Sequence, residues 1–168
     1  VNEDLLILQP SILAAEPRLF DQLLALNNAH AAELSPLDAG RLTDLLGQAF
    51  LASCVADGEG LMIALDQAAD YDSPNFLWFR ARYDRFVYVD RVVVSPAARG
   101  RGYGRRLYEA LFTRARAGGH DRIFCEINSD PPNPGSDAFH HSLGFLEVGA
   151  GVIHGGAKSV RYMSRGLD

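Results

Sequence analysis

The chemistry-bearing stretch lies between Val94 and Leu107, which reads Val94-Ser95-Pro96-Ala97-Ala98-Arg99-Gly100-Arg101-Gly102-Tyr103-Gly104-Arg105-Arg106-Leu107. The β-branched run Val92-Val93-Val94 leads into it, and Leu107, Leu111 and Phe112 leave it at helical spacing. A strand therefore runs through a glycine loop into a helix. The first amides of a helix have no acceptor inside it. Glycines bring those N–H groups close to a ligand without a Cβ in the way, and the helix dipole adds positive potential there. Arg99, Arg101 and Arg105 add full charges. At roughly 1.5–3 kcal/mol for each hydrogen bond to a charged group, several such donors hold a diphosphate.

Two phosphate readings fail on spacing. A nucleoside-triphosphate loop needs GxxxxGK[ST], and here Gly104 is followed by Arg105 and Arg106. A dinucleotide loop needs GxGxxG, whereas Gly100, Gly102 and Gly104 are spaced GxGxG. The plain structural alternative is a glycine-rich turn without a ligand.

A second polar constellation follows. Asn128 precedes Asn133-x-x-Ser136-x-x-Phe139-His140-x-x-Leu143-Gly144-Phe145. The two segments, in this order, resemble the GCN5-related N-acetyltransferase (GNAT) superfamily. Arg99-x-x-Gly102-x-Gly104 looks like that family's acyl-CoA motif, and Asn128 to Phe145 looks like its fifth strand and following helix. The resemblance covers residues 86–147. Pro131-Pro132-Asn133-Pro134-x-Ser136 also resembles a bacterial subgroup of poorly characterised predicted acetyltransferases.

The resemblance implies acetyl-CoA as co-substrate, with no metal. Backbone groups of Val92 and Val94 would pair with the pantetheine arm like an added strand. Arg99, Gly100, Arg101, Gly102, Tyr103, Gly104 and Arg105 would hold the diphosphate, Asn128 would bond the pantetheine arm, and Ser136 and His140 would share one helix face toward the cofactor. Glu33 and Tyr88 would bind the acceptor. The sequence departs from the family pattern twice. The spacing from Asn128 to Asn133 is two residues longer, which makes Asn133 a helix cap with Pro134 in the first helical position. His140 stands where the family commonly has Tyr as the acid for the leaving thiolate.

Moving an acetyl group from a thioester to an amine poses two proton problems. A lysine-like amine has a pKa near ~10.4, so supplying the neutral nucleophile at pH 7 costs roughly 4.6 kcal/mol. A base must take that proton. Asp90 shares the Tyr88, Val92 and Val94 face of its strand and is the candidate; an ion pair with Arg91 or Arg122 is the structural alternative. The leaving thiol, near pKa ~8.5, gains from a donor without requiring one. His140 can donate as imidazolium, about a quarter populated at pH 7. It can equally serve as a cofactor contact or a packed side chain. Cys125 reads as core. His30, His120, His140, His141 and His154 show no metal-ligand spacing.

The elements that position these groups alternate along the chain. Strands are expected over Leu5–Leu8, Phe50–Ala56, Leu61–Leu65, Phe86–Val94, Arg122–Ile127, Phe145–Ile153 and Ser159–Met163. Helices are expected from Pro17 through Leu26, from Ser35-Pro36 through Leu46, over Gly102–Ala117 and over Pro134–Leu143. Gln67–Asn75 reads as a polar loop. The order fits one α/β domain; the resemblance makes it GNAT-like over residues 1–168, a mixed central sheet of about six or seven strands flanked by about four helices.

Composition agrees. The chain has 168 residues, 48% hydrophobic and 22% charged, which suits a packed domain and argues against disorder. Its longest stretch without a charged residue, Leu45 to Ala56, is too short for a membrane span, and VNEDLLILQP does not read as a secretory signal. Two cysteines point to a reduced, cytoplasmic protein. The net charge is −5, with 12 Asp/Glu against two Arg in residues 1–72 and an excess of cations after them. That acidity, and the lack of any Lys/Arg run above two residues, speak against nucleic acid and suggest a cationic acceptor. The expected activity is N-acetyl transfer to a small-molecule or peptide amine within a ternary complex. The alternatives are an acyl-CoA-binding module with little catalysis and, third, a nucleotide-binding protein. A homodimer is a form many relatives take.

Overall fold

The computed structural model describes residues 5–168. Seven strands form one mixed sheet, in the order β1-β2-β3-β4-β5-β7-β6. They are β1 (Leu5–Ile7), β2 (Leu51–Val55), β3 (Gly60–Asp66), β4 (Val87–Val94), β5 (Arg122–Asp130), β6 (Leu146–Ile153) and β7 (Lys158–Gly166). The helices are α1 (Pro10–Ala15), α2 (Pro17–Ala29), α3 (Ala39–Gln48), α4 (Pro74–Arg80), α5 (Tyr103–Ala117) and α6 (Pro134–Ser142). The α/β class and the mixed sheet agree with the sequence reading. Six helices stand among the described residues instead of about four.

The differences have local causes. Pro10 and Pro74 occupy the first turns of α1 and α4, where a missing N–H costs nothing, so they start helices that read as a strand end and a loop. The expected start of α3 at Ser35-Pro36 moves to Ala39. Asn28 takes both backbone groups of Leu37, its Nδ2 donating to the Leu37 carbonyl and its Oδ1 accepting the Leu37 amide, each at 2.8 Å. Asp38 then caps the helix by accepting the Arg41 amide at 2.7 Å.

The described residues form two compact units, 5–65 with Val89–Arg114 and Asp66–Tyr88 with Ala115–Asp168. In the first, β1 and β3 pair antiparallel to β2, and Leu42, Leu45 and Leu46 bury one stripe of α3. Between β2 and β3, Ala56, Asp57 and Gly58 all have positive φ, which closes the hairpin. In the second, β5 and β6 both pair antiparallel with β7, and the first two residues of β4 pair parallel with β5, Val87 with Ile123 and Tyr88 with Phe124. Its core is aromatic: Phe79 stacks on Phe124 at 4.4 Å and contacts Phe86, Tyr88 and Tyr162.

Trp78 stacks on Tyr162 at 4.1 Å and carries the Arg82 guanidinium over its ring at 4.0 Å. Both aromatic rings lie on glycines of β6. A Cβ at Gly149 would come within 2.5 Å of the Trp78 ring, and one at Gly151 within 2.8 Å of the Tyr162 hydroxyl. Gly149→Ala is expected to destabilise the fold by about 1–3 kcal/mol through overpacking. Trp78 is the chain's single tryptophan. Its fluorescence should shift in the folded variant, and an unchanged spectrum with unchanged denaturant midpoint would contradict this packing.

Candidate active site

The glycine loop belongs to the first unit. It leaves β4 through Ser95, whose amide donates to the Glu59 carbonyl at 2.7 Å and whose hydroxyl donates to the Glu59 carboxylate. The β2–β3 hairpin thus holds the loop's entry. Pro96–Ala98 make one tight 3-10 turn, and Arg99 folds back with its Nε–H donating to the Val94 carbonyl at 3.2 Å. Gly100 and Gly102 both sit at φ +79°, a conformation open to glycine at little cost. A Cβ on either would meet no described heavy atom within 4 Å, so what demands glycine is the backbone path, and the space before the loop is open.

Helix α5 begins at once. Its first intrahelical bond runs from the Arg106 amide to the Gly102 carbonyl at 3.0 Å, which leaves the Tyr103 and Gly104 amides ahead of the ladder. Arg99, Arg101 and Arg105 are exposed on this segment, and Tyr103 is half-buried. The residues named from sequence as diphosphate ligands therefore form one continuous cationic turn at a helix N-terminus. The Arg99 Nη2 also lies 3.4 Å from His30 Nε2, at the end of α2.

The same unit holds Asp90, Val92, Val94 and Glu33. Val92 and Val94 are half-buried on alternate positions of β4, whereas Val89, Arg91 and Val93 are buried; of the other two residues expected on that face, Tyr88 is fully buried and the Asp90 side chain is only 4% exposed. The Asp90 carboxylate accepts the Arg91 Nε–H at 2.7 Å. Glu33 is exposed in the turn after α2.

The second unit holds Tyr88, Glu126, Asn128, Ser136 and His140. Tyr88 is fully buried, and its hydroxyl donates to Glu126 Oε2 at 2.7 Å. Glu126 stands opposite Tyr162 in the β5–β7 register. Burial raises the Tyr162 hydroxyl above its ordinary pKa, the Glu126 carboxylate raises it further, and Arg82 opposes both. Tyr162 donates to Asn75 Oδ1 at 3.0 Å. Sequence reasoning placed Glu126 on a central strand and gave it no role. The partner that marks it, Tyr88, lies 38 positions away on another strand.

Asn128 closes onto Asn133 through a turn. The Asn133 amide donates to the Asn128 carbonyl at 3.3 Å, Ser129 bridges Pro132, and the Asp130–Pro131 peptide is cis. The two extra residues fill this turn. Asn133 caps α6 as expected, accepting the Ser136 amide at 3.3 Å, with Pro134 in the first turn.

His140 is 4% exposed. Its Nδ1 lies 2.8 Å from the Ser136 carbonyl and 3.1 Å from the Ser136 hydroxyl. A carbonyl accepts only, so Nδ1 carries the proton and Nε2 is the basic nitrogen of the neutral ring. Phe139 and Phe145 meet the ring edge-on at 5.3 and 5.4 Å. Burial holds the imidazole below its ordinary pKa, partly offset by the Ser136 carbonyl and the Asp137 carboxylate. At neutral pH the imidazolium is therefore scarcer than the quarter expected for an unperturbed histidine.

Neither cysteine offers a reactive thiol. Both are buried, and burial, helped by Asp57, pushes Cys54 up to about 11. Among the described residues no group of three or more His, Cys, Asp and Glu could hold a metal ion, and no helix is long and apolar enough to cross a membrane.

Comparison with known proteins bears on the fold. Residues 75–145 match the model of the acetyltransferase (GNAT) family. Solved structures share the fold. The ribosomal-protein-S18-alanine N-acetyltransferase of Escherichia coli superimposes with a TM-score of 0.67 at 16% identity, covering 97% of this chain and 92% of that one. Chaetomium thermophilum Naa20, in complex with a bisubstrate analogue, gives 0.69 at 19% identity, covering 97% and 86%. A chain of the NatC complex bound to Gag peptide and CoA gives 0.70 at 12% identity, covering 98% and 99%. Comparison with curated proteins finds no sequence match.

The lowered pKa of His140 gives a signed expectation. The unfolded chain takes up a proton near pH 6.5 that the folded chain resists, so this residue's contribution to stability is full above that pH and is lost as pH falls through the folded value. Melting temperature should drop more steeply below pH 6.5 in the wild type than in His140→Gln. Parallel curves would show that burial does not perturb this ring.

Proposed function

Starting from a chain that carries an acetyltransferase domain of the GNAT family, matched over residues 75–145, we propose that residues 1–168 act as one N-acetyltransferase. The acetyl group passes from acetyl-CoA to a primary amine on a small, cationic acceptor or a peptide, by direct transfer in a ternary complex. The observation that carries this is the loop itself: two left-handed glycines and exposed arginines at the first amides of α5. Such a turn fits a diphosphate by charge, by donor geometry and by the open space before both glycines.

In this reading Arg99 to Arg105 hold the diphosphate, and the backbone of Val92 and Val94 pairs with the pantetheine arm. Asn128, Ser136 and His140 are assigned to the rest of that arm. Bound acetyl-CoA supplies an acetyl group already activated as a thioester. Glu33 attracts the cationic acceptor; the excess of Asp and Glu in residues 1–72 favours the same sign. As nitrogen bonds to the carbonyl carbon and the carbon–sulfur bond breaks, the amine proton passes to a base or a water chain, and carboxylates are the candidate bases. Two are available, Asp90 and Glu126. The Tyr88 hydrogen bond favours Glu126, because a buried phenol fixes one of its oxygens and so orients the other. Asp90, ion-paired with Arg91, then helps to seat the acceptor. His140 donates to the leaving thiolate only as imidazolium, so its aid grows toward acid pH.

The test mixes the protein with acetyl-CoA and a panel of amines and follows free thiol. Acceptor-stimulated thiol release is expected; tight CoA binding without it would indicate a binding module instead. Competition by ATP or NAD against CoA would indicate a nucleotide site. Gly102→Glu sets a carboxylate against the diphosphate. It should lower CoA affinity at least about 100-fold, about 2.7 kcal/mol, while the protein stays folded by circular dichroism. Unchanged affinity would remove the loop from the site.

Glu126→Gln should reduce kcat about 100-fold or more and leave CoA affinity within about twofold, the signature of a lost proton acceptor. If Asp90→Asn produced that loss and Glu126→Gln did not, the two carboxylates would exchange roles.

A further inference from the structure

Arg91 is a buried charge, 4% exposed, directly after Asp90 on β4. A guanidinium taken out of water is strongly unfavourable unless its donors are met. Here they are met in two directions. Nε–H donates to Asp90 Oδ2 at 2.7 Å, and Nη1 donates to Asn27 Oδ1 at 2.8 Å and to the Ser35 carbonyl at 3.2 Å. Asn27, fully buried in the last turn of α2, sends its Nδ2 to the same Ser35 carbonyl and to Asn28 Oδ1, each at 3.0 Å. Asn28 in turn holds the amide and carbonyl of Leu37. One cation thus joins β4 to the non-helical segment from His30 to Asp38, which carries Glu33. All of these residues belong to the first unit.

We propose that Arg91 is a positioning residue that sets the conformation of residues 30–38 and, through it, the choice of acceptor amine. This rests on the acetyltransferase reading above. A non-helical segment loses its conformational freedom only against contacts that hold it. This one hangs from the Ser35 carbonyl by two donors and from Leu37 by a side-chain amide. An apolar side chain of similar volume could fill the space of Arg91, but it would leave the buried Asp90 carboxylate without this cation. What it could not do is grip Asp90 and the segment together. Lysine could not either, because it lacks the fork that sends two donors apart. Glu33 stays exposed on the held segment, ready to meet a cationic group.

The test compares wild type with Arg91→Met, Arg91→Lys and Asn28→Ala. Hydrogen exchange is read at residues 30–38, CoA affinity by calorimetry, and kcat and KM with the best acceptor among spermidine, an aminoglycoside and a peptide with a free N-terminus. Each variant should speed exchange of the Leu37 amide at least about tenfold. Each should raise the amine KM about tenfold and hold kcat and CoA affinity within about twofold. Unchanged exchange in Arg91→Met and Asn28→Ala, or a wild-type KM in Arg91→Lys, would overturn the proposal. Should Arg91→Met fail to fold, Asn28→Ala keeps the charge, cuts the link to Leu37, and gives the same readings. If the wild type acetylates none of the amines, the acetyltransferase reading fails, and the exchange result still decides whether Arg91 holds the segment.

Discussion

A helix cannot satisfy its own first amides, and in this chain α5 opens directly out of the glycine loop. The Tyr103 and Gly104 amides stand ahead of the first i→i−4 bond, two left-handed glycines bring the chain to them, and exposed arginines lie on the same segment. The deficit is kept in place by ordinary structure. Ser95 is tied to Glu59 by backbone and side chain, so the hairpin between β2 and β3 fixes where the loop begins. Arg99 closes back on the Val94 carbonyl and fixes where it turns. Such an arrangement suits an anion.

In the second unit the controlling quantity is burial. Tyr88, Tyr162 and His140 are all withdrawn from water, and each keeps its polar atom on a named partner. The consequence differs by residue. For Glu126, the Tyr88 phenol is a fixed hydrogen-bond donor. For His140, the Ser136 carbonyl decides the tautomer, and desolvation disfavours the cation. His140 is therefore mainly a neutral ring at pH 7.

What could be read from sequence was what local backbone demands dictate. The loop announces itself through glycines that must turn left-handed, and Asn133-Pro134 announces a capped helix start. Proline at a helix's first position misled at Pro10 and Pro74, because the same residue also ends strands and shapes loops. The start of α3 was hidden for another reason: Asn28 captures Leu37 from nine positions away, and no propensity records that. The Tyr88 bond to Glu126 and the reach of Arg91 to Asn27 were hidden for the same reason, since those partners lie 38 and 64 positions apart, whereas the ion pair of Arg91 with its neighbour Asp90 could be foreseen. Pairings of this kind exist only after the sheet has formed.

The Cys54 thiol has one more implication. At a pKa of about 11, only about one in ten thousand such groups is ionised at pH 7. Buried on β2 between β1 and β3, that sulfur is held as a neutral packing group shielded from water, and neither oxidation nor disulfide exchange meets a ready thiolate there.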